Sequence, residues 1–180
     1  MTLHADAVDV LTGWQAPTPA QEALRDSYVE HLRWHPDGLS RTCFPAHLTA
    51  GVLVVSHDRG HVLLNLHGKA QRWFHFGGHL EEDDTSLAGG ALRETTEESG
   101  LPGLVLDAEP LHLSQHPVAW CDRRGTVKHY DVRFLAHAGA DVDPVVSDES
   151  LDVRWWPVDE LPTTEPDVVE MVEFALRRRH

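Results

Sequence analysis

The sequence predicts an α/β fold in which a sheet carries helices on both faces and is preceded by a leading N-terminal helix. Three observations carry this. Runs of β-branched and apolar residues occupy the middle of the chain. Segments with helical periodicity stand before, among and after them. No internal repeat, low-complexity tract or long linker divides the chain, so residues 1–180 read as one domain. A chain of 180 residues, 41% of them hydrophobic, is large enough to bury a sizeable single core.

Residues 1–46 read as a helical extension. Thr18-Pro19-Ala20-Gln21 is a capping box with proline at the first helical position, opening a helix through about Arg33. Its stripe of Leu24, Tyr28 and Leu32 is expected to pack on the domain behind it, with a lid or the arm of a homodimer as the other roles such a segment could take. Pro36-Asp37-Gly38 then breaks the chain. Leu48 to Ser56 and Val62 to Leu66 flank a turn at His57-Asp58-Arg59-Gly60, which predicts a hairpin. Trp73, Phe74 and Phe76 lead into a glycine turn at Gly77-Gly78; aromatics so placed are core residues more often than base-stacking ones. Further on, Leu104 to Val118 and Val127 to Ala136 read as two long strands joined by a polar turn at Asp122 to Gly125. Leu151 to Val158 is a last strand, stopped by Asp159-Glu160-Leu161-Pro162. Pro166 opens the final helix, with Val168, Val172 and Leu176 as its stripe. Arg177 to Arg179 sit at the end favoured by the macrodipole, so they read as a helix terminus rather than a phosphate clamp.

The chemistry concentrates in Phe76 to Leu101, FGGHLEEDDTSLAGGALRETTEESGL. Leu87 to Ser99 reads as a helix with Asp84 or Thr85 as N-cap, Leu92 and Thr95 on the inner stripe, and Gly100 closing the C-terminus. Glu94, Glu97 and Glu98 are spaced i, i+3 and i+4 and project from one side. Three like charges on adjacent turns repel, and helix stability does not call for them. A divalent cation converts the repulsion into coordination, and hard oxygen donors favour magnesium or manganese. Arg93, i, i+4 from Glu97, is placed to hold that carboxylate in one rotamer. Taken alone, such a cluster would read as a solvated acidic face with an ion pair worth ~0.5 kcal/mol or less.

The neighbouring residues change that reading. Gly77, Gly78, the acidic loop and Arg93 to Leu101 together resemble the box that marks the Nudix hydrolase superfamily. Gly78 opens the pattern, and Arg93, Glu94, Glu97, Glu98, Gly100 and Leu101 match it. In three places it departs: Asp84 stands where the family has its first glutamate, one extra residue separates it from Arg93, and Thr95 replaces an apolar residue. The extra residue falls near Gly89 and Gly90, each costing ~1 kcal/mol against alanine inside a helix, so a remodelled junction is expected there.

The resemblance implies an α/β/α sandwich with a mixed sheet, and an enzyme that hydrolyses a diphosphate bond in a nucleoside diphosphate derivative or related small molecule. It implies magnesium, with manganese as the alternative, held by Glu94, Glu97, Glu98 and a main-chain carbonyl at Gly77 or, failing that, Gly78. The proton acceptor would be a box glutamate or a carboxylate on a later loop, where Glu149 is the candidate. His79, which follows the glycine pair, and His116 and His129 on the two long strands are candidate contacts to phosphate or base. The box also looks like that of coenzyme A diphosphatases, but their further upstream motif is not found in Val62 to Phe76. Two readings from other classes are a nucleotide-binding module without turnover and an isomerase of the isopentenyl diphosphate type. The latter needs a catalytic cysteine in a context that neither Cys43 nor Cys121 provides.

Composition bounds the partners. Lys plus Arg is 15 against 29 Asp plus Glu, a net charge of −14, so no basic patch for nucleic acid is expected. No apolar run reaches the ~18 residues of a membrane span, and Met1 to Gly13 lacks a signal-peptide core, which makes the cytoplasm the expected compartment. The two cysteines stand apart with no C-x-x-C, suggesting neither a zinc site nor a disulfide. None of the 14 histidines forms an H-x-x-x-H pair within a predicted helix.

Overall fold

A computed structural model describes residues 1–140, 142–146 and 150–178. Two helices, not one, lead the chain: α1 (Leu3–Gly13) and α2 (Pro19–Trp34). Thr2 caps α1 by accepting from the amide of Ala5, and Ala7 and Leu11 form its buried face. Thr18 caps α2 by accepting from the Gln21 amide, as the sequence predicts. The other half of the predicted capping box is used differently. The Gln21 amide group reaches across to the sheet, accepting from Leu113 N at 2.7 Å and donating to Leu113 O at 2.9 Å.

Among the described residues the sheet has eight strands: β1 (Ala46–Val55), β2 (His61–His67), β3 (Arg72–Phe74), β4 (Phe76–His79), β5 (Val105–Leu106), β6 (His112–Asp122), β7 (Gly125–His137) and β8 (Ser150–Pro157). The box helix α3 (Leu87–Ser99) follows β4, and α4 (Pro166–Arg177) ends the described chain. β1 is the axis of the sheet. One edge pairs in parallel with β7 from Ala46↔Lys128 to Val55↔His137. The other edge pairs antiparallel first with β4, Thr49↔His79 to Val52↔Phe76, and then with β2. One parallel ladder among antiparallel ones makes the sheet mixed.

Side-chain alternation along β1 divides the core into two layers. Leu48, Ala50, Val52 and Val54 face α1, α2 and α3, whose Ala7, Leu11, Tyr28, Leu32, Leu87 and Ala91 are buried against them. Leu53 and Val55 face Val168, Met171, Val172 and Ala175 of α4. The N-terminal helices are thus part of the larger core layer. The stripe of α4 is completed by Met171 and Ala175, whereas Leu176, which the sequence placed on it, is 48% exposed.

Part of the layer beneath α4 is polar. Arg133, 2% exposed, pairs with Asp131 and Asp167 at 2.8 Å each. Thr49 donates a hydrogen bond to Asp131, and His112 on β6 meets Glu170 at 3.0 Å. A buried guanidinium is tolerable only with such paired carboxylates, and these contacts tie α4 to the sheet.

Three expectations need correction. Gly77 and Gly78 lie inside β4, paired with Gly51 and Ala50, and do not form a turn. Ser86, not Asp84 or Thr85, caps α3, accepting from the amide of Gly89 at 3.0 Å. The stretch Leu104 to Val118 is two strands, β5 and β6. It is interrupted where Arg178 donates to the carbonyls of Glu109 and Pro110.

Candidate active site

The site is built where α3 lies against β4. Ser86 and Asp6 together cap the start of α3: Asp6, from α1, accepts from Leu87 N at 2.8 Å. At the other end Gly100 adopts φ 66, and its amide donates to Thr96 O at 2.9 Å. Leu87, Ala91 and Thr95 are buried, which turns the opposite side of the helix, with Glu94, Glu97 and Glu98, toward β4 and solvent. Thr95, the polar residue at a usually apolar position, satisfies its hydroxyl on Ala91 O at 2.7 Å.

The glycine pair is what lets the helix approach. A Cβ built on Gly78 would stand 2.4 Å from Oε2 of Glu94. The amide of Gly77 donates to Oε2 of Glu98 at 3.1 Å. Glu94 and Glu98 are therefore half-buried against the strand, and Glu97 points outward with its side chain 61% exposed.

Arg93 organises the carboxylates. Its Nε and Nη2 grip Asp84 at 3.1 and 2.8 Å, Nη1 donates to Glu94 at 2.9 Å and to Glu97 at 3.4 Å, and Nη2 also donates to the carbonyl of His79 at 3.2 Å. The two-pronged grip on Asp84 is the strongest type of charge-assisted pair. It holds the Asp84 carboxyl below the usual carboxylate range. The shorter aspartate reaches Arg93 despite the extra residue because Gly90 leaves room: a Cβ there would lie 2.8 Å from Asp84 Oδ2. Helix α3 runs through Gly89 and Gly90 without a break, so the expected remodelling is confined to the cap.

Residues 45–175 match the family profile described as the NUDIX domain. The chain belongs to the NUDIX domain family. Among solved structures, a Nudix hydrolase from Clostridium perfringens is 22% identical, covering 73% of this chain and 98% of that one with a TM-score of 0.57. An Ap4A hydrolase from C. elegans, in a binary complex, is 16% identical over 72% of this chain and 95% of its own, TM-score 0.59. The NUDIX domain of NrtR from Shewanella oneidensis, complexed with ADP ribose, is 21% identical over 81% and 96%, TM-score 0.52. At these identities the likeness is one of fold. No curated protein sequence matches the chain.

In this Nudix fold the remaining predicted residues, His79, His116 and His129, lie side by side on one face of the sheet. His116 lies 3.3 Å from Asp131 on the α4 side of the sheet. His79 and His129 turn toward one another and toward Cys121, with Nε2 to Sγ distances of 3.4 and 3.3 Å. His47 completes the group, its Nε2 3.8 Å from Cys121 Sγ and its Nδ1 3.1 Å from Cys43 O. Burial, helped by the neighbouring imidazoles, brings His79 down to about 3 and His129 to about 4. His47 shifts in the same direction, again through burial. His47 and Asp6 went unmarked in the sequence, and Cys121 was read as neither ligand nor nucleophile, because no linear spacing joins them to all their partners. Glu149 and Arg179 lie outside the described residues.

Proposed function

We propose that this Nudix protein hydrolyses a phosphoanhydride bond in a nucleoside diphosphate derivative, using magnesium or, as an alternative, manganese. The observation that supports this most is the packing of Glu94 and Glu98 against Gly78 and Gly77. Partly buried carboxylates beside exposed Glu97 form an all-oxygen donor set suited to a hard divalent cation. Glu94, Glu97, Glu98 and the main chain at Gly77 would hold it. When bound, the ion supplies positive charge to the diphosphate and makes the attacking water more acidic.

The chain's own residues supply position. Arg93 spends its donors on Asp84, Glu94 and Glu97, fixing where the carboxylates point rather than reaching for phosphate. Gly77 N restrains Glu98 in the same way. In-line displacement at phosphorus needs chiefly such positioning and charge stabilisation. Glu149, on the segment before β8, is the proposed proton acceptor, and His116 the proposed substrate contact on the sheet. Work in the cytoplasm as a small-molecule enzyme, without nucleic acid or membrane, fits the charge of −14 and the lack of any described helix long and apolar enough to cross a membrane.

The test is release of phosphate or nucleoside monophosphate from a panel of ADP-ribose, dinucleoside polyphosphates, nucleoside triphosphates and coenzyme A, with and without magnesium. Turnover is expected only with the ion. Glu97→Gln and Glu98→Gln should each lower it by roughly 10²–10³-fold, the several kcal/mol that metal-borne charge stabilisation is worth. Full turnover in either variant would remove the metal assignment. Binding of a nucleotide by calorimetry without any cleavage would favour the second reading, a sensing module.

A further inference from the structure

Four potential ligand side chains from four strands converge on the side of the sheet facing away from α3. His47 stands at the start of β1, His79 ends β4, His129 is on β7, and Cys121 sits near the tip of the β6–β7 hairpin. The parallel register places His47 directly beside His129, and β4 pairs His79 with Thr49, two residues along the same face. All four donor atoms lie within 4.8 Å of one another.

The distances carry a specific geometry. A tetrahedral zinc centre with Zn–S of about 2.3 Å and Zn–N of about 2.0–2.1 Å has S···N separations of about 3.6 Å. The three Nε2 atoms lie 3.3, 3.4 and 3.8 Å from Cys121 Sγ, on both sides of that value. One thiol proton cannot serve three imidazoles. The Nδ1 of His47 faces the carbonyl of Cys43, which requires a proton on Nδ1 and leaves the Nε2 lone pair aimed at Cys121. This is how second-sphere carbonyls orient metal-binding histidines.

We propose that His47, His79, His129 and Cys121 form a tetrahedral zinc site, distinct from the carboxylate set on α3. Three imidazoles and a thiolate are borderline-soft donors that suit zinc and not magnesium. Binding converts the Cys121 thiol to a zinc thiolate and releases its proton to solvent. Since the protein fills all four positions, the site is structural: it staples β4, β1, β7 and the hairpin together. It also acts on the neighbouring box, because the His79 carbonyl that it fixes accepts from Arg93 Nη2. On this reading His79 and His129 hold an ion rather than substrate.

The inference stands apart from the hydrolase reading, and its test reads metal and not turnover. Full-length protein is stripped with chelator and titrated with cobalt, then zinc. The expected result is stoichiometric cobalt uptake with the intense visible bands of tetrahedral cobalt and a thiolate-to-cobalt charge-transfer band, both lost as zinc displaces the cobalt. Cys121→Ser should lose the charge-transfer band and weaken zinc binding by at least about 100-fold, since even second-sphere partners account for 10–100-fold. His47→Gln serves as the independent variant should Cys121→Ser fail to fold, and Glu98→Gln should leave the spectrum unchanged. Absence of stoichiometric uptake by the wild-type protein, a pale octahedral spectrum, or a charge-transfer band that persists in Cys121→Ser overturns the proposal.

Discussion

A methyl group on Gly78 would meet Glu94 Oε2 at 2.4 Å and its carboxyl carbon at 2.8 Å, contacts that only movement of the glutamate relieves. The obstructed atom is the end of a side chain, so Gly78→Ala should fold and yet carry a displaced carboxylate. A misplacement of about 1 Å can cost about 10²-fold in rate, and a loss of that order in metal-dependent turnover is expected with little change in melting temperature. Gly77→Ala should behave in the opposite way. Its φ is +150, and the new Cβ would lie 2.5 Å from the Cα of Gly51, a main-chain atom that cannot swing aside, so the loss appears in stability. Kinetics and thermal melts of the two variants separate the cases; equal melting temperatures would refute the contrast. At this scale much of the site was legible in the sequence, because Glu94, Glu97, Glu98 and Arg93 lie within two turns of one helix and need only its periodicity. What stayed open was whether Asp84 reaches Arg93. That depended on the space left at Gly90, which is a matter of tertiary packing.

Among the elements, α3 shows why the first 44 residues matter to a site whose family match begins at residue 45. The Leu87 amide, one of the orphan donors of a helix start, is satisfied by Asp6 of α1. A carboxylate there also meets the positive end of the helix dipole. Asp6→Ala should therefore cost about 1 kcal/mol, as loss of an N-cap does, and do so by loosening the box helix. Denaturant unfolding reads the loss, and hydrogen exchange should localise it to the first turn of α3; protection unchanged in that turn would sink the assignment. Helix α1 itself escaped sequence reading, since Ala7 and Leu11 are its fully buried residues and Leu3, Val8 and Val10 are only partly covered. The glycine pair was misread for a related reason. Glycine ordinarily signals a turn, but here it permits close approach of β1, where a Cβ on Gly51 would meet Phe76 O at 2.5 Å. β1 and β2 were readable because their β-branched runs flank a plain turn, whereas the break between β5 and β6 is set by Arg178 from the far end of the chain.

For the whole molecule, the His/Cys cluster was out of reach of sequence reasoning because it depends on the pairing of β1 with both β7 and β4, registers that no local pattern encodes. Its histidines, with two others, nonetheless dictate how the protein should respond to acid. Burial takes His31 and His129 down to about 4 and His75 and His79 to about 3. An unfolded chain would protonate these rings near the ordinary value of about 6.5. The unfolded state thus binds protons that the fold refuses, so their contribution to stability is complete above about pH 6.5 and is lost as pH falls from there toward the folded values. Asp84, held low by Arg93, and Asp131, held low by Arg133 against the opposing effect of its burial, add losses of the same sign at lower pH. One effect opposes them: the net charge of −14 shrinks as pH approaches the isoelectric point of 5.3, which relieves self-repulsion. Exposed charges are screened over about 8 Å at physiological ionic strength, whereas buried groups are screened far less, so the buried histidines should dominate. Metal-free protein in 0.15 M salt is therefore expected to melt at a constant temperature from about pH 8 to 7 and at steadily lower temperatures below about 6.5. A melting temperature that holds or rises down to pH 5 would show that relief of surface repulsion outweighs the buried imidazoles.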